Sequence, residues 1–185
     1  MKRSKFMLAL LSAAPIATFG RQYRQLNREE KGFLAKAGEG RYHGHIQLKG
    51  VNANTIDVKV SGKDTNGDLA IFEQTSVSPG KGTPLHVHPY QDEVFYVLEG
   101  SYRFQAGNSI YELHAGDTIF LPRKLPHAWV QLSERGKMTV TLQPAGKLED
   151  FFVALAAFAK PPSPEEIARL FLEHEMKVVG PPLTV

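Results

Sequence analysis

Two short stretches constrain this chain more than anything else in it. The first reads Gly80, five residues, His86-Val87-His88, four residues, Glu93, six residues, Gly100. The second reads Gly116, five residues, Pro122, and then His127. In a β-strand, residues i and i+2 share a face, so His86 and His88 aim at one point while Val87 turns away. Pro89-Tyr90-Gln91-Asp92 is turn-like, with a proline directly after the second histidine. The run Glu93-Val94-Phe95-Tyr96-Val97-Leu98 is β-branched and aromatic and reads as a strand, so an inward Glu93 supplies a third ligand. Gly100 ends that strand at a position suited to positive φ. Thr118–Leu121 is a short apolar strand, Pro122–Pro126 a proline-bounded turn, and His127 opens the next strand. Three imidazoles and one carboxylate are the ligand set of a mononuclear transition-metal site. Zn²⁺ often closes at four ligands, whereas Fe²⁺, Mn²⁺, Ni²⁺ and Co²⁺ accept more and leave room for water, substrate or oxygen; spacing does not choose among them.

These residues resemble the cupin family. The first stretch matches the family pattern G-x5-HxH-x4-E-x6-G at every defining position. The second matches at Gly116, Pro122 and His127 and departs at Lys124, where glycine is expected, and at Gln131, where asparagine is expected. Lys124 implies a somewhat different turn, and Gln131 keeps an amide on a longer arm. The resemblance extends over about residues 40–145. It implies a small jelly-roll barrel in which His86, His88, Glu93 and His127 bind one divalent metal. The wider match, including the Gly180-Pro181-Pro182-Leu183 ending, looks like the quercetin-dioxygenase-like branch of bacterial cupins. That likeness implies a metal-dependent dioxygenase acting on an enolisable phenolic molecule, with Glu93 serving as a base as well as a ligand. A non-catalytic small-molecule-binding cupin and a metal-dependent isomerase stay open beside it, because one fold hosts many activities.

The surrounding chain agrees with an all-β barrel. Strands are expected at His45–Lys49, Thr55–Val60, Leu69–Val77, Val94–Leu98, Ser101–Gln105, Ile110–Leu113, Thr118–Leu121, Ala128–Leu132 and Met138–Gln143, separated by Asn66-Gly67, Pro79-Gly80, Gly107-Asn108 and Gly136. Many short strands with frequent turns indicate a jelly roll or barrel. Asp64-Thr65-Asn66-Gly67-Asp68 has the composition of a calcium loop, but its glycine and distal glutamate are misplaced, so it is expected to be a hairpin turn. His43-Gly44-His45 repeats the HxH pattern without a carboxylate at useful spacing and is expected at a strand edge. The motifs occur once in 185 residues, which implies a single barrel.

Both ends differ from the middle. Residues 1–20 carry Lys2, Arg3 and Lys5, then an apolar run from Phe6 to Ala14, the order of a secretory signal peptide. Export to the periplasm or the exterior is expected, with no stable membrane span in the mature protein. An apolar N-terminal helix packed on the barrel, in a cytoplasmic protein, is the alternative. The formal charge of +3 comes from 22 basic and 19 acidic residues, and the three basic residues of 1–20 account for all of it. A nucleic-acid partner is therefore not indicated. The absence of cysteine excludes a disulfide framework and a thiolate ligand. Residues 21–145 are read as the barrel with an N-terminal extension, residues 21–40 being loop or partly helical. Residues 146–185 are read as a helical tail: Leu148–Ala159, then a helix from Ser163, with Pro164 at its first position and Glu166 completing a capping box, to about Lys177. The tail is expected to cover the barrel or the partner in a homodimer.

Alternation sketches the pocket. With Glu93 inward, Phe95 and Val97 follow. With His127 inward, Trp129 and Gln131 follow, and Tyr102 and Phe104 share a face of the strand between. The substrate pocket is thus expected to hold Phe95, Tyr102, Phe104, Trp129 and Gln131, with the last two nearest the metal. Arg123 and Lys124 are placed to hold an acidic group only at the mouth.

Overall fold

A computed structural model describes residues 28–49 and 53–185. The expected signal segment, residues 1–20, lies outside them. Ten strands come first: β1 (Ile46–Gln47), β2 (Thr55–Val60), β3 (Ala70–Ser76), β4 (Pro84–Val87), β5 (Asp92–Glu99), β6 (Ser101–Ala106), β7 (Ser109–His114), β8 (Thr118–Leu121), β9 (His127–Gln131) and β10 (Gly136–Gln143). Helices α1 (Leu148–Ala156) and α2 (Pro164–Glu173) and a final strand β11 (Lys177–Pro182) complete the chain. The strands form two antiparallel sheets, β1-β2-β3-β10-β5-β8 and β11-β4-β9-β6-β7. This is a jelly roll with C-terminal helices.

Alternation builds the core between the sheets. In β3, Ala70, Phe72, Gln74 and Ser76 are buried and the residues between them are partly exposed. In β5, Glu93, Phe95 and Val97 point inward beside Met138, Val140 and Leu142 of β10. Asn66 and Gly67 take positive φ of 55° and 86° between β2 and β3, the hairpin turn expected in place of a calcium loop. Gly100 takes φ 80° between β5 and β6, where a Cβ would overlap the Arg135 carbonyl.

The stretch before His88 is the strand that the His86–His88 spacing requires, β4, although it is short and holds Pro84. The end of the chain differs from the expectation. The tail is not wholly helical. α2 stops at Glu173 rather than near Lys177, because Glu175 adopts φ 64° and the Met176 amide turns back to the Phe171 carbonyl at 2.9 Å. Lys177 then starts β11, which pairs antiparallel with β4. The start of α2 does follow the sequence: Ser163 and Glu166 form the capping box with Pro164 behind the cap. α1 ends at Ala156, three residues before the expected Ala159. Residues 28–40 form no helix.

β11 decides where the helices go. By pairing with β4 it draws α2 over the open end of the barrel, and Phe151, Phe152, Leu155, Leu170 and Phe171 join the barrel core. These helical residues are buried within the chain, whereas Val153 and Leu172 stay exposed on the helices. Among the described residues no helix is long and apolar enough to cross a membrane.

Candidate metal centre and its cavity

The two sheets bring the four motif residues together. His86 lies on β4, His88 one residue past its end, His127 opens β9, and Glu93 is the second residue of β5. β4 and β9 are neighbours with His86 opposite His127, so one sheet supplies the imidazoles and the other the carboxylate. One ligand atom from each of the four residues lies within 4.8 Å of the others, and all four side chains are buried.

Backbone contacts set the ring tautomers. His86 Nδ1 is 2.8 Å from the Pro84 carbonyl and His127 Nδ1 is 2.9 Å from the Leu125 carbonyl. A carbonyl only accepts, so each Nδ1 carries the proton and donates it, leaving each Nε2 with a lone pair. His127 Nε2 stands 3.0 Å from Glu93 Oε2, yet both atoms are buried without a hydrogen-bond partner. With the proton committed to Nδ1, two lone pairs face each other at that distance. A cation between them turns this repulsion into ligation. The donor set, its tautomers and its orphaned atoms fit a divalent metal held by His86, His88, Glu93 and His127.

Burial supports the same charge states. Burial first, then the neighbouring His127 and His88, holds the His86 pKa well below the ordinary 6.5. Burial likewise lowers that of His88, opposed by Glu93 and Gln91. Burial pushes the Glu93 carboxyl up, and proton-bearing His88 and His127 pull it below the ordinary 4.5; with both imidazoles neutral, a cation at the centre takes over that role. The metal-free protein should therefore lose stability as pH falls. Below about 6.5 the unfolded chain binds protons that buried His86 and, more weakly, His88 refuse, so stability falls with pH in that range. Glu93 acts in the same direction below about 4.5, because its folded pKa is the lower one. Denaturant midpoints of chelator-treated protein between pH 8 and 5 test this; a midpoint that holds or rises toward pH 5 contradicts neutral, buried imidazoles.

The loops that aim the ligands are tied to each other. Asp92, directly before Glu93, accepts from the Arg123 backbone at 2.8 Å and from its guanidinium, and Arg123 brings the Asp92 carboxyl down to about 2. Arg123 is thus paired with Asp92 rather than open to an acidic ligand at the mouth. Lys124 donates its backbone N–H to the His88 carbonyl at 2.8 Å. It does so at φ 69°, the left-handed conformation natural to glycine. The turn before His127 therefore keeps the shape that a glycine allows, contrary to the different turn expected, at a cost of roughly 1–2 kcal/mol.

An apolar cavity opens beside the ligands. Phe95, Trp129 and Val140 line it from the barrel, and Phe151, Phe152 and Phe171 from the helices. Among the described residues no lysine or arginine lines it. Its volume is about 80 Å³. Of the five expected pocket residues, Phe95 and Trp129 are in the wall. Tyr102 and Phe104 stand one layer behind, with Phe104 5.0 Å from Phe95 and Tyr102 5.8 Å from Trp129 between ring centroids. Gln131 is outside the lining: its amide donates to the Ser133 carbonyl at 2.7 Å and accepts from the Ser78 amide at 3.4 Å, fastening loops at the end of β9. The sequence reading missed Phe171, whose ring meets His86 edge-on at 5.2 Å. The apolar face of α2 was readable, but not the surface it would cover. The reading also missed Gln74, an amide on the inward row of β3. His43-Gly44-His45 lies just before β1 and makes no second centre, since His43 pairs with Glu149 at 3.0 Å and His45 with Asp57 at 2.7 Å.

Two antiparallel sheets closed around a buried three-histidine, one-carboxylate centre define a cupin-type metal-site jelly roll. A family model described as a cupin domain matches residues 74–142, which contain all four ligands. That stretch is similar to a cupin domain, and the strands around it form a cupin-type jelly roll. The chain is 35% identical over 116 residues to the quercetin 2,3-dioxygenase of Bacillus subtilis, covering 61% of this chain and 32% of that protein. It is 28% identical over 117 residues to oxalate oxidase GF-3.8 of Triticum aestivum, covering 58% of this chain and 52% of that one. The matches thus span only about a third to a half of the length of these relatives. The solved structure of an RmlC-like cupin from Shewanella frigidimarina aligns at 23% identity with a TM-score of 0.49, over 66% of this chain and 96% of that one.

Proposed function

We propose that the protein is a metal-dependent dioxygenase acting on a small, enolisable, phenolic molecule. The observation that carries this reading is the junction of a three-histidine, one-carboxylate centre with an aromatic cavity that, among the described residues, has no cationic side chain in its wall. A divalent ion at the centre supplies Lewis acidity and stabilises a substrate oxyanion. His86 and His127 present Nε2 lone pairs whose direction is fixed by the Pro84 and Leu125 carbonyls. Glu93 is held ionised and can accept the proton of a substrate hydroxyl at Oε2. Phe95, Trp129 and Phe171 exclude water and offer flat surfaces to a ring. A phosphorylated sugar or nucleotide is disfavoured, because buried phosphate requires cationic or helix-N-terminal partners.

Cavity size limits the substrate. Sites for drug-sized ligands begin at roughly 300 Å³, well above the 80 Å³ found here. A single-ring phenol suits this volume better than a flavonol does. The test is a phenolic panel, from one ring to a flavonol, offered to fully metal-loaded protein while oxygen uptake and absorption are followed. A shifted band with oxygen uptake is expected, and Glu93→Gln should suppress turnover more than binding when metal content is matched. A spectral shift without turnover of any panel member would favour a binding module. Silence toward all phenols, with anaerobic turnover of a sugar or organic acid, would replace the dioxygenase reading with the isomerase.

A further inference from the structure

Gln74 is the one amide on the inward row of β3, where its neighbours on that face are Phe72 and Ser76. It is only 4% exposed, lines the cavity, and its amide nitrogen has no hydrogen-bond partner among the described residues. Buried amide donors are almost always satisfied, so an orphan in a cavity wall points to a ligand. Thr83, the other neutral polar side chain of the wall, already accepts from the Trp129 amide at 3.3 Å. Strand register places Gln74 well away from the metal centre. It stands opposite Met138, which stands opposite Val97, whereas Glu93 stands opposite Leu142. Four residues of strand separate the two levels, on the order of 13 Å along the sheet at the usual rise.

We infer that Gln74 is a specificity-determining residue, donating its amide N–H to an oxygen acceptor on the part of a ligand remote from the metal. This deepens the proposed function by naming a second contact in the same cavity. The class of ligand it selects has an apolar, flat body with one oxygen for the metal centre and a second oxygen for Gln74. A ligand lacking the second oxygen leaves the amide unsatisfied and is discriminated against.

The test uses metal-loaded, full-length protein and a pair of near-isosteric fragments, acetophenone and α-methylstyrene, which differ by a carbonyl oxygen against a methylene. Neither is a phenol, so the result does not depend on the phenolic reading. Binding is followed by NMR titration of wild type, Gln74→Met and Gln74→Leu. Wild type should prefer the ketone by roughly five- to tenfold, as one hydrogen bond allows, and both variants should lose that preference. The ligand-free variants should melt no lower than wild type, because the amide satisfies nothing in the protein. Preference that survives in both variants would place the carbonyl at the metal centre and overturn the assignment. Absence of preference in wild type, or a lower melting temperature for both variants, would overturn it as well. Failure of the phenolic panel alongside a Gln74-dependent ketone preference would reject the dioxygenase reading and leave the Gln74 assignment standing.

Discussion

Alanine at position 127 will strip the protein of its divalent ion. Wild type should purify with close to one ion per chain, and His127→Ala and His86→Ala should each retain far less, a loss of more than tenfold in affinity being the least that removal of a direct ligand implies. The expectation rests on how little else these imidazoles do. His127 gives its Nδ1 proton to the Leu125 carbonyl, and its Nε2 has no hydrogen-bond partner beside Glu93 Oε2. Removing it leaves a buried carboxylate facing His88 at 3.6 Å, with one donor fewer to share a cation. Elemental analysis of protein from one preparation scheme reads the result, with circular dichroism checking that the barrel persists. Equal metal content in wild type and both variants would dismantle the four-ligand centre.

Phe171→Ala will cost about 3–5 kcal/mol of stability, the usual range for deleting a buried aromatic side chain. Phe171 is 5% exposed and lies where α2, α1 and β4 meet. Its ring meets His86 at 5.2 Å and Phe151 at 4.8 Å, both edge-on. Alanine there removes the main aromatic contact between the helical cap and the metal centre and enlarges the cavity. Denaturant unfolding should show the loss as a lower midpoint, and two-ring phenols too large for the closed cavity should bind the variant more readily than wild type. An unfolding free energy within about 1 kcal/mol of wild type would mean that α2 does not seat on the barrel as described.

What was legible in the sequence was whatever a short window determines. The i, i+2 spacing aligned His86 with His88, and the alternation of Glu93, Phe95 and Val97 carried the carboxylate to the inner face. The Ser163–Glu166 capping box and the Asn66-Gly67 turn also depend on residues a few positions apart. Gln131 and Gln74 mark where such reasoning stops. Both face inward, but Gln131 meets backbone groups of Ser78 and Ser133, while Gln74 meets an open cavity. The direction of a side chain is local; what stands opposite it is not. Lys124 shows the same limit for the backbone, since its φ of 69° is held by a bond to His88, far from it in sequence.

The sequence by itself determined the barrel class and the four residues that gather into the candidate metal site, because strand periodicity and turn chemistry act over two to six residues. Only the tertiary structure decided how the cavity is closed. β11 pairs with β4 across about ninety residues of chain, and that pairing carries α2 and Phe171 onto His86. No local pattern in Lys177–Pro182 encodes its partner, because backbone hydrogen bonding between strands is almost indifferent to side-chain identity. The choice falls to the packing of the apolar faces of α1 and α2, which the open end of the barrel can bury.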